Sequence, residues 1–312
     1  MPARPSASSV PSIRKTDSKL EKTNSFMQNL ETLTRLVCNI AREAGSYIRK
    51  ERASFRLDAV ERKHAHDYVS YVDKGSERLI VSALRNLLPE AGFITEEGTA
   101  APAPEHSPSA SSSPLTSELL WVIDPLDGTT NFIHGFAPYA VSIALLQGRN
   151  VLLGVVYEIC ADECFYAWQG GGAFVQATDG HGALRAEPLH VSRQTIGDAL
   201  LSLQYPYNSE AYSPVIQHLI SHFYGYVASI RSMGSAAMSL CYVAAGRLDG
   251  YAEKYLGRWD FMAGALIVSE AGGRVTSFEG ADDFTTADGV LATNGIIHAE
   301  LLKAVQHSLA QA

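Results

Sequence analysis

Between Phe26 and Lys50 the apolar positions recur at steps of three and four. Leu30, Leu33, Leu36, Val37, Ile40, Ala41, Ala44 and Ile48 form one stripe, which predicts an amphipathic helix. A second stripe, Leu79, Ile80, Ala83, Leu84, Leu87 and Leu88, predicts a helix from about Lys74 to Leu88, ended by Pro89. Phe93-Ile94 predicts a short strand, and the unbroken apolar run from Leu119 to Ile123 a buried one. Between them, Gly98 to Ser117 is rich in Ala, Pro and Ser and predicts a mobile surface loop. Residues 140–175 read as an antiparallel meander that turns at Gly148-Arg149-Asn150 and breaks at Gly170-Gly171-Gly172.

The second half alternates differently. Strands are predicted at Ala199–Leu203, Arg247–Ala252 and Val290–Ala292, and helices at Ser213–Phe223, Ser235–Ala245, Asp260–Ala271 and Ile296–Leu309. The expected organisation is a disordered tail over 1–25, an α+β half with an antiparallel sheet over 26–185, and an α/β half over 186–312. Two packed α/β layers with a cleft between them follow from that alternation.

Composition narrows the function classes. Of 312 residues, 46% are hydrophobic and 19% charged, as in an ordinary globular protein. Lys+Arg is 25 and Asp+Glu 33, a net charge of −8, which argues against a nucleic-acid partner or a basic membrane-surface role. No apolar run approaches a membrane span, and the N-terminus has no apolar core for a secretory signal. Cys38, Cys160, Cys164 and Cys241 make neither a disulfide framework nor a CxxC pair, and Cys160 and Cys164 bracket a predicted hairpin turn. A cytoplasmic location is the expectation.

Four acidic segments carry candidate chemistry. Asp124-Pro125-Leu126-Asp127-Gly128-Thr129-Thr130-Asn131-Phe132 follows a buried strand directly and places two carboxylates three residues apart at its end. Gly128 lets the chain turn, and Thr129-Thr130 opens a helix whose free N–H groups suit an anion. Carboxylates beside a phosphate repel it unless a hard cation intervenes, and Mg²⁺ takes oxygen ligands. Glu96-Glu97 ends the Phe93-Ile94 strand, with one carboxylate toward the cleft and the other toward solvent or a structural partner. Trp259-Asp260 opens the helix that Gly272-Gly273 stops, and Asp67 to Asp73 is strand-like with a carboxylate at each end. Taken singly, each has a plainer reading as a turn, a solvated loop or a helix cap. Of the ten histidines none lies inside these motifs; His134, the nearest, reads as a hydrogen-bonded helix or surface residue.

Together the four segments resemble the inositol monophosphatase family of Mg²⁺-dependent, lithium-sensitive phosphatases. Trp121 to Phe132 and Trp259 to Gly273 look like its two signatures. The resemblance implies a layered αβαβα sandwich, of the inositol monophosphatase and fructose-1,6-bisphosphatase type, and a homodimer. It implies Mg²⁺ ligands: Glu96, Asp124 and the Leu126 carbonyl for one ion, Asp124, Asp127 and Asp260 for a second, and Glu96 again for a weaker third. It implies that Thr129 and Asp73 orient the attacking water and that Gly128 and Thr129 contact phosphate. Gly234, Ser235 and Ala236 would lie beside the sugar ring, and Glu253 would accept hydrogen bonds from inositol hydroxyls. Ser70 and Ser235 stand where the family has Thr, Thr95 and Gly98 flank the acidic pair where Gly and Ser are usual, and Met262 replaces a small residue. The implied reaction is hydrolysis of a small-molecule phosphate monoester, myo-inositol monophosphate first. Histidinol phosphate, fructose 1,6-bisphosphate and 3′-phosphoadenosine nucleotides are rival substrates, and a non-catalytic interaction module is the rival of another class.

Overall fold

The computed structural model describes residues 14–56, 60–64, 67–100, 119–204 and 209–311. The expected loop beyond Ala100 and the first 13 residues of the expected tail lie outside them. The rest of that tail falls in the first helix, α1 (Arg14–Ser54), which begins twelve residues before the expected start at Phe26. Residues 14–25 hold good helix formers but no stripe, so periodicity alone misses them.

A hairpin of β1 (Val60–His64) and β2 (Asp67–Ser70) leads into α2 (Tyr71–Leu87), β3 (Gly92–Thr95), β4 (Leu119–Asp127) and the short α3 (Thr129–His134). The meander follows as β5 (Ala140–Gln147), β6 (Asn150–Glu158), β7 (Glu163–Trp168), β8 (Gly172–Thr178) and β9 (Leu184–Pro188). Strands β3 to β9 form one seven-stranded sheet in chain order, antiparallel except for the parallel pair β3–β4. The second half runs β10 (Leu200–Leu203), α4 (Ser209–Phe223), β11 (Ser229–Arg231), α5 (Ala236–Ala244), β12 (Gly250–Lys254), α6 (Arg258–Glu270), β13 (Arg274–Ser277), β14 (Gly289–Thr293) and α7 (His298–Gln311). Its five-stranded sheet has the order β11-β10-β12-β14-β13.

Alternation of side chains across each sheet builds three cores. Trp121, Ile123, Val141 and Ile143 meet Val37, Ala41, Ala44 and Ile48 of α1 and Ile80 and Leu84 of α2. Their neighbours Val122 and Ala144 face the other way, onto Ala237, Leu240 and Cys241 of α5 and Phe261, Ala265 and Val268 of α6. That inner core also receives Tyr251, Val290 and Ala292 from the second sheet. The outer face of that sheet, Leu201, Leu203 and Leu291, closes on Val215 and Leu219 of α4 and Leu301 and Val305 of α7. The stack is the layered αβαβα arrangement. Small residues let α5 and α6 approach closely: a Cβ on Gly264 would lie 2.6 Å from the Leu240 Cβ.

Several boundaries differ from expectation, and four of them move site residues. β4 runs on from Ile123 to Asp127, so Asp124 and Asp127 lie within the strand. α2 starts at Tyr71, so Asp73 lies in a first helical turn and not at a strand end. The cause is a capping box: the Ser70 hydroxyl accepts from Val72 N while Asp73 accepts from Ser70 N. α6 starts at Arg258, so Asp260 is its third residue and Gly257 its cap. β12 starts at Gly250, three residues later than the apolar pattern suggests. Strands β1, β9, β11 and β13 carry no clear alternation, and β9 is exposed throughout.

Candidate active site

In a regular strand, residues three apart face opposite sides. Asp124 pairs with Ser142 and Asp127 with Ala140, so β4 spends three steps where β5 spends two. This bulge falls at Pro125, which has no N–H for the ladder, and it turns both carboxylates to the same side. The corner is then fixed by its own donors. Leu126 N donates to Asp124 Oδ1 at 2.9 Å, and the Ser76 hydroxyl of α2 donates to the Pro125 carbonyl at 3.0 Å. Gly128 holds φ +86°, a conformation that favours glycine; a Cβ there would also lie 3.1 Å from the Gly234 carbonyl. The Thr129 hydroxyl lies 3.0 Å from both Asp73 Oδ1 and the Leu126 carbonyl. Asp73 Oδ2 accepts from the Ser70 N and hydroxyl at 2.8 and 2.6 Å.

Oxygens of Asp124, Asp127 and Asp260 all lie within 4.8 Å of one another, and among the described residues this is the one such group of potential metal ligands. Asp260 is delivered by α6, whose first turn is tied to β5 by the Ser142 hydroxyl donating to the Trp259 carbonyl at 3.1 Å. Asp260 Oδ2 accepts from Gly257 N at 2.6 Å. Glu96 follows β3, with its N–H donating to the Ile123 carbonyl of β4 at 3.2 Å.

Charge shows the cost of this assembly. Burial pushes the Asp124 and Asp260 carboxyls well above the usual range, and the negative charges of Glu96 and Asp127 push them further. Burial likewise raises Asp127 to about 6, against the pull of hydrogen bonds from Ser235, Ala236 and Ala237. These donors dock the start of α5 on Asp127: Ala236 N reaches Oδ1 at 3.2 Å, Ala237 N reaches Oδ2 at 3.1 Å, and the Ser235 hydroxyl also donates to Oδ2. The expected sugar-side loop therefore points its donors at a carboxylate, and Gly234 N turns to Gln204 Oε1 at 3.3 Å. Glu253 on β12 accepts from the Tyr251 hydroxyl at 2.7 Å, and burial lifts its carboxyl to about 8, with the charge of Asp127 adding to the rise.

Crowded hard oxygens with unrelieved repulsion are what a divalent cation compensates, so the cluster fits a hard metal ion. The structure brings Asp124, Asp127 and Asp260 together, with Glu96 beside Asp124 as its side-chain partner, and sets Asp73, Thr129 and Gly128 next to them. Sequence reasoning missed Glu77. It is fully buried on α2, accepting from Glu97 N at 2.7 Å and Thr99 N at 2.5 Å, and so shapes the turn that carries Glu96. Its signal was available: Glu77 stands three residues before Ile80 and seven before Leu84, on the stripe that should be apolar. Asn131 was missed too; its amide joins α3 to the Met233 and Pro138 carbonyls, each at 2.8 Å.

Known proteins share this frame. The sequence model described as the inositol monophosphatase family matches residues 29–310. The chain is 36% identical over 287 residues to the Pseudomonas aeruginosa protein named Nus factor SuhB, covering 90% of this chain and 98% of that one. It is 34% identical over 277 residues to a Mesorhizobium japonicum inositol-1-monophosphatase, covering 89% and 97%. The solved structure of a Thermotoga maritima IMPase superposes with a TM-score of 0.74 at 30% identity, covering 88% of this chain and 96% of that one. With the acidic cluster, the layered fold and these likenesses in agreement, the chain belongs to the inositol monophosphatase family.

Proposed function

We propose that the protein is a Mg²⁺-dependent phosphomonoesterase and that its substrate is myo-inositol monophosphate. The observation that carries this is the convergence of Asp124, Asp127 and Asp260 oxygens within 4.8 Å. Glu96, Asp124, Asp127, Asp260 and the Leu126 carbonyl are the residues that would hold Mg²⁺. When bound, Mg²⁺ supplies Lewis acidity, offsetting the charge on the phosphate and on the leaving oxygen.

The chain's own groups do the rest. Thr129 has one hydroxyl proton and two acceptors within 3.0 Å, so its oxygen remains free to accept from a water. Asp73, held by Ser70, fixes that hydroxyl and thereby the direction of the water's lone pair toward phosphorus. The water oxygen bonds to phosphorus as the bond to the alcohol oxygen breaks; one proton of that water ends on the alcohol oxygen and the other stays on the released hydrogen phosphate. Gly128 and Thr129 N–H groups receive phosphate oxygens. Gly234, Ser235 and Ala236 act by holding the loop and Asp127 in place. Glu253 accepts hydroxyl hydrogen bonds from the polyol, which favours a neutral ring over a second phosphate or a nucleotide.

The name Nus factor, borne by several relatives, suggests an interaction role as the rival. The cluster supports hydrolysis instead, since a docking surface has no need of converging carboxylates at this electrostatic cost. The test is phosphate release from inositol 1-phosphate, glycerol 2-phosphate, histidinol phosphate, fructose 1,6-bisphosphate and 3′-phosphoadenosine 5′-phosphate, with Mg²⁺ and with chelator. Inositol 1-phosphate is expected to be the best substrate, activity to vanish in chelator, and Mg²⁺ to raise the thermal midpoint. Full activity in excess chelator would remove the metal from the reading, and no release from any ester would remove the enzyme.

A further inference from the structure

Asp73, Ser76 and Glu77 stand at steps of three and four on α2, so they share one face of that helix. All three are fully buried. A helix face turned into a protein is ordinarily apolar, and buried polar groups persist there when partners satisfy them. Each of these three grips a different segment. Asp73 Oδ1 accepts from the Thr129 hydroxyl of α3 at 3.0 Å. The Ser76 hydroxyl donates to the Pro125 carbonyl, in the bulge of β4, at 3.0 Å. Glu77 accepts from Glu97 N on Oε2 at 2.7 Å and from Thr99 N on Oε1 at 2.5 Å, both in the turn that follows β3.

Two of these grips fall on the two sides of one expected ion site, that of Glu96, Asp124 and the Leu126 carbonyl. β3 runs parallel to β4 with Thr95 opposite Ile123, so the step beyond β3 brings Glu96 alongside Asp124. Glu96 N donates to the Ile123 carbonyl at 3.2 Å, and the Glu96 side chain meets that of Asp124. Glu77 holds the N–H groups one and three residues beyond Glu96. Ser76 holds the carbonyl of the residue between Asp124 and Leu126. Asp127 and Asp260 are held from other elements, by the start of α5 and by Gly257 N. Both oxygens of Glu77 are in use, and a charged acceptor holds an N–H group more strongly than a neutral one. A glutamine there would keep one acceptor and turn an amide donor toward the other N–H.

We propose that Ser76 and Glu77 are positioning residues for the ion that Glu96 and Asp124 share. As neighbours on one helix they keep the Glu96 turn and the Asp124–Leu126 corner in register with each other, and so set the affinity for Mg²⁺. The inference rests on the metal ligands of the phosphatase reading and adds to them the residues that hold the two ligand segments together.

The experiment measures Mg²⁺ binding by calorimetry, without substrate, on wild type, Glu77→Gln, Glu96→Gln and the double variant. The thermal midpoint of each in chelator reports the fold, and the Kd reports the site. Glu77→Gln is expected to weaken Mg²⁺ binding roughly ten- to a hundredfold, as for loss of a group that orients a metal ligand. Added to Glu96→Gln it is expected to weaken binding little further, because Glu77 acts through Glu96. A residue that only stabilises the fold would lower the midpoint in chelator and leave the Kd alone. An unchanged Kd in Glu77→Gln, or losses that multiply in the double variant, overturns the proposal. Should Glu77→Gln fail to fold, Ser76→Ala decides: a Kd weakened roughly two- to tenfold, the scale of one hydrogen bond, upholds it, and an equal Kd overturns it. Wild type that binds no Mg²⁺ overturns the metal reading and this inference with it. Wild type that binds Mg²⁺ beside a folded variant of equal Kd overturns this inference alone.

Discussion

The β4–α3 corner and the β12–α6 crossing both carry cleft carboxylates, but the chain wires them differently. At the corner Asp127 has three donors from the start of α5, Asp124 has Leu126 N, and Asp73 has Ser70 and Thr129. At the crossing, among the described residues, Glu253 has one donor, the Tyr251 hydroxyl, and Asp260 one, Gly257 N, and Tyr255 holds a left-handed backbone at φ 64°. The corner is a frame fixed by its own donors. The crossing is left incomplete, which is where a varying substrate would be read. Local precision at the reacting atoms and unmet polar groups at the recognition end are two uses of the same kind of residue.

Within the corner, the comparison breaks most sharply between Asp124 and Asp127. Asp124→Asn keeps the acceptor for Leu126 N and removes one charge from a repelling group. It is expected to lower activity by about a hundredfold or more, as for loss of one electrostatic element. The metal-free protein should become more stable, by on the order of 1–3 kcal/mol. Asp127→Asn also removes charge but turns an amide donor toward Ser235, Ala236 or Ala237, which are donors themselves. A similar activity loss is expected, with stability falling by about 1–3 kcal/mol. Urea unfolding in chelator, set beside kcat/KM in Mg²⁺, gives both signs. If both variants are stabilised, the docking of α5 on Asp127 has no energetic weight and the corner is not the frame described.

Glu253 tests the crossing with a smaller effect. Its carboxyl, raised to about 8 by burial and by Asp127 and moderated by Tyr251, is charged only above that value, and bound Mg²⁺ would draw the value down. The charged form is the stronger acceptor, so KM for inositol 1-phosphate should fall as pH rises toward 8. Glu253→Gln should flatten that dependence and reduce kcat/KM for the ring ester by roughly ten- to a hundredfold, a hydrogen bond to a charged group being worth about 1.5–3 kcal/mol. Steady-state kinetics from pH 6.5 to 9 on inositol 1-phosphate and glycerol 2-phosphate separate this from a general pH effect. A wild-type pH profile retained in the Gln variant assigns the titration elsewhere.

Much of this contrast was legible in the sequence, for physical reasons that differ by residue. Long stripes such as Leu30 to Ile48 report burial directly, and the αβαβα stack follows from where such stripes must go. The carboxylates stood out because acidic side chains beside buried strands need a reason. What stayed hidden was relational. Nothing in Asp124-Pro125-Leu126-Asp127 shows that a bulge against Ser142 and Ala140 turns both carboxylates one way. Nothing around Ser235 shows that its hydroxyl serves Asp127, 108 residues earlier. Glu77 and the Ser70–Asp73 capping box were readable and were masked by the apolar pattern around them. Short strands such as β11 and β13 lack enough residues for alternation to register.

The smallest effect on activity, and the control for all these shifts, lies far along the second sheet. His298, the first residue of α7, is 1% exposed. Its Nδ1 and Nε2 meet the Thr293 and Thr276 hydroxyls at 2.9 and 3.1 Å, bridging β14 and β13. Burial, aided by the charge of Arg274 and opposed by Asp282, lowers its pKa from 6.5 to about 4. The folded chain therefore refuses a proton that the unfolded chain accepts below pH 6.5. Stability should drain as pH falls from 6.5 to 4, by up to about 3 kcal/mol at 1.36 kcal/mol per unit. The crowded carboxylates act in the opposite sense, because their raised values let the folded state hold protons more readily than the unfolded one. A difference between two proteins cancels them. His298→Gln is expected to lose some stability at pH 7.5, to keep wild-type kcat/KM there, and to lose about 2 kcal/mol less than wild type between pH 7.5 and 5. Urea unfolding at the two pH values measures it. Equal acid losses in the two proteins would mean that burial alone does not set the His298 shift.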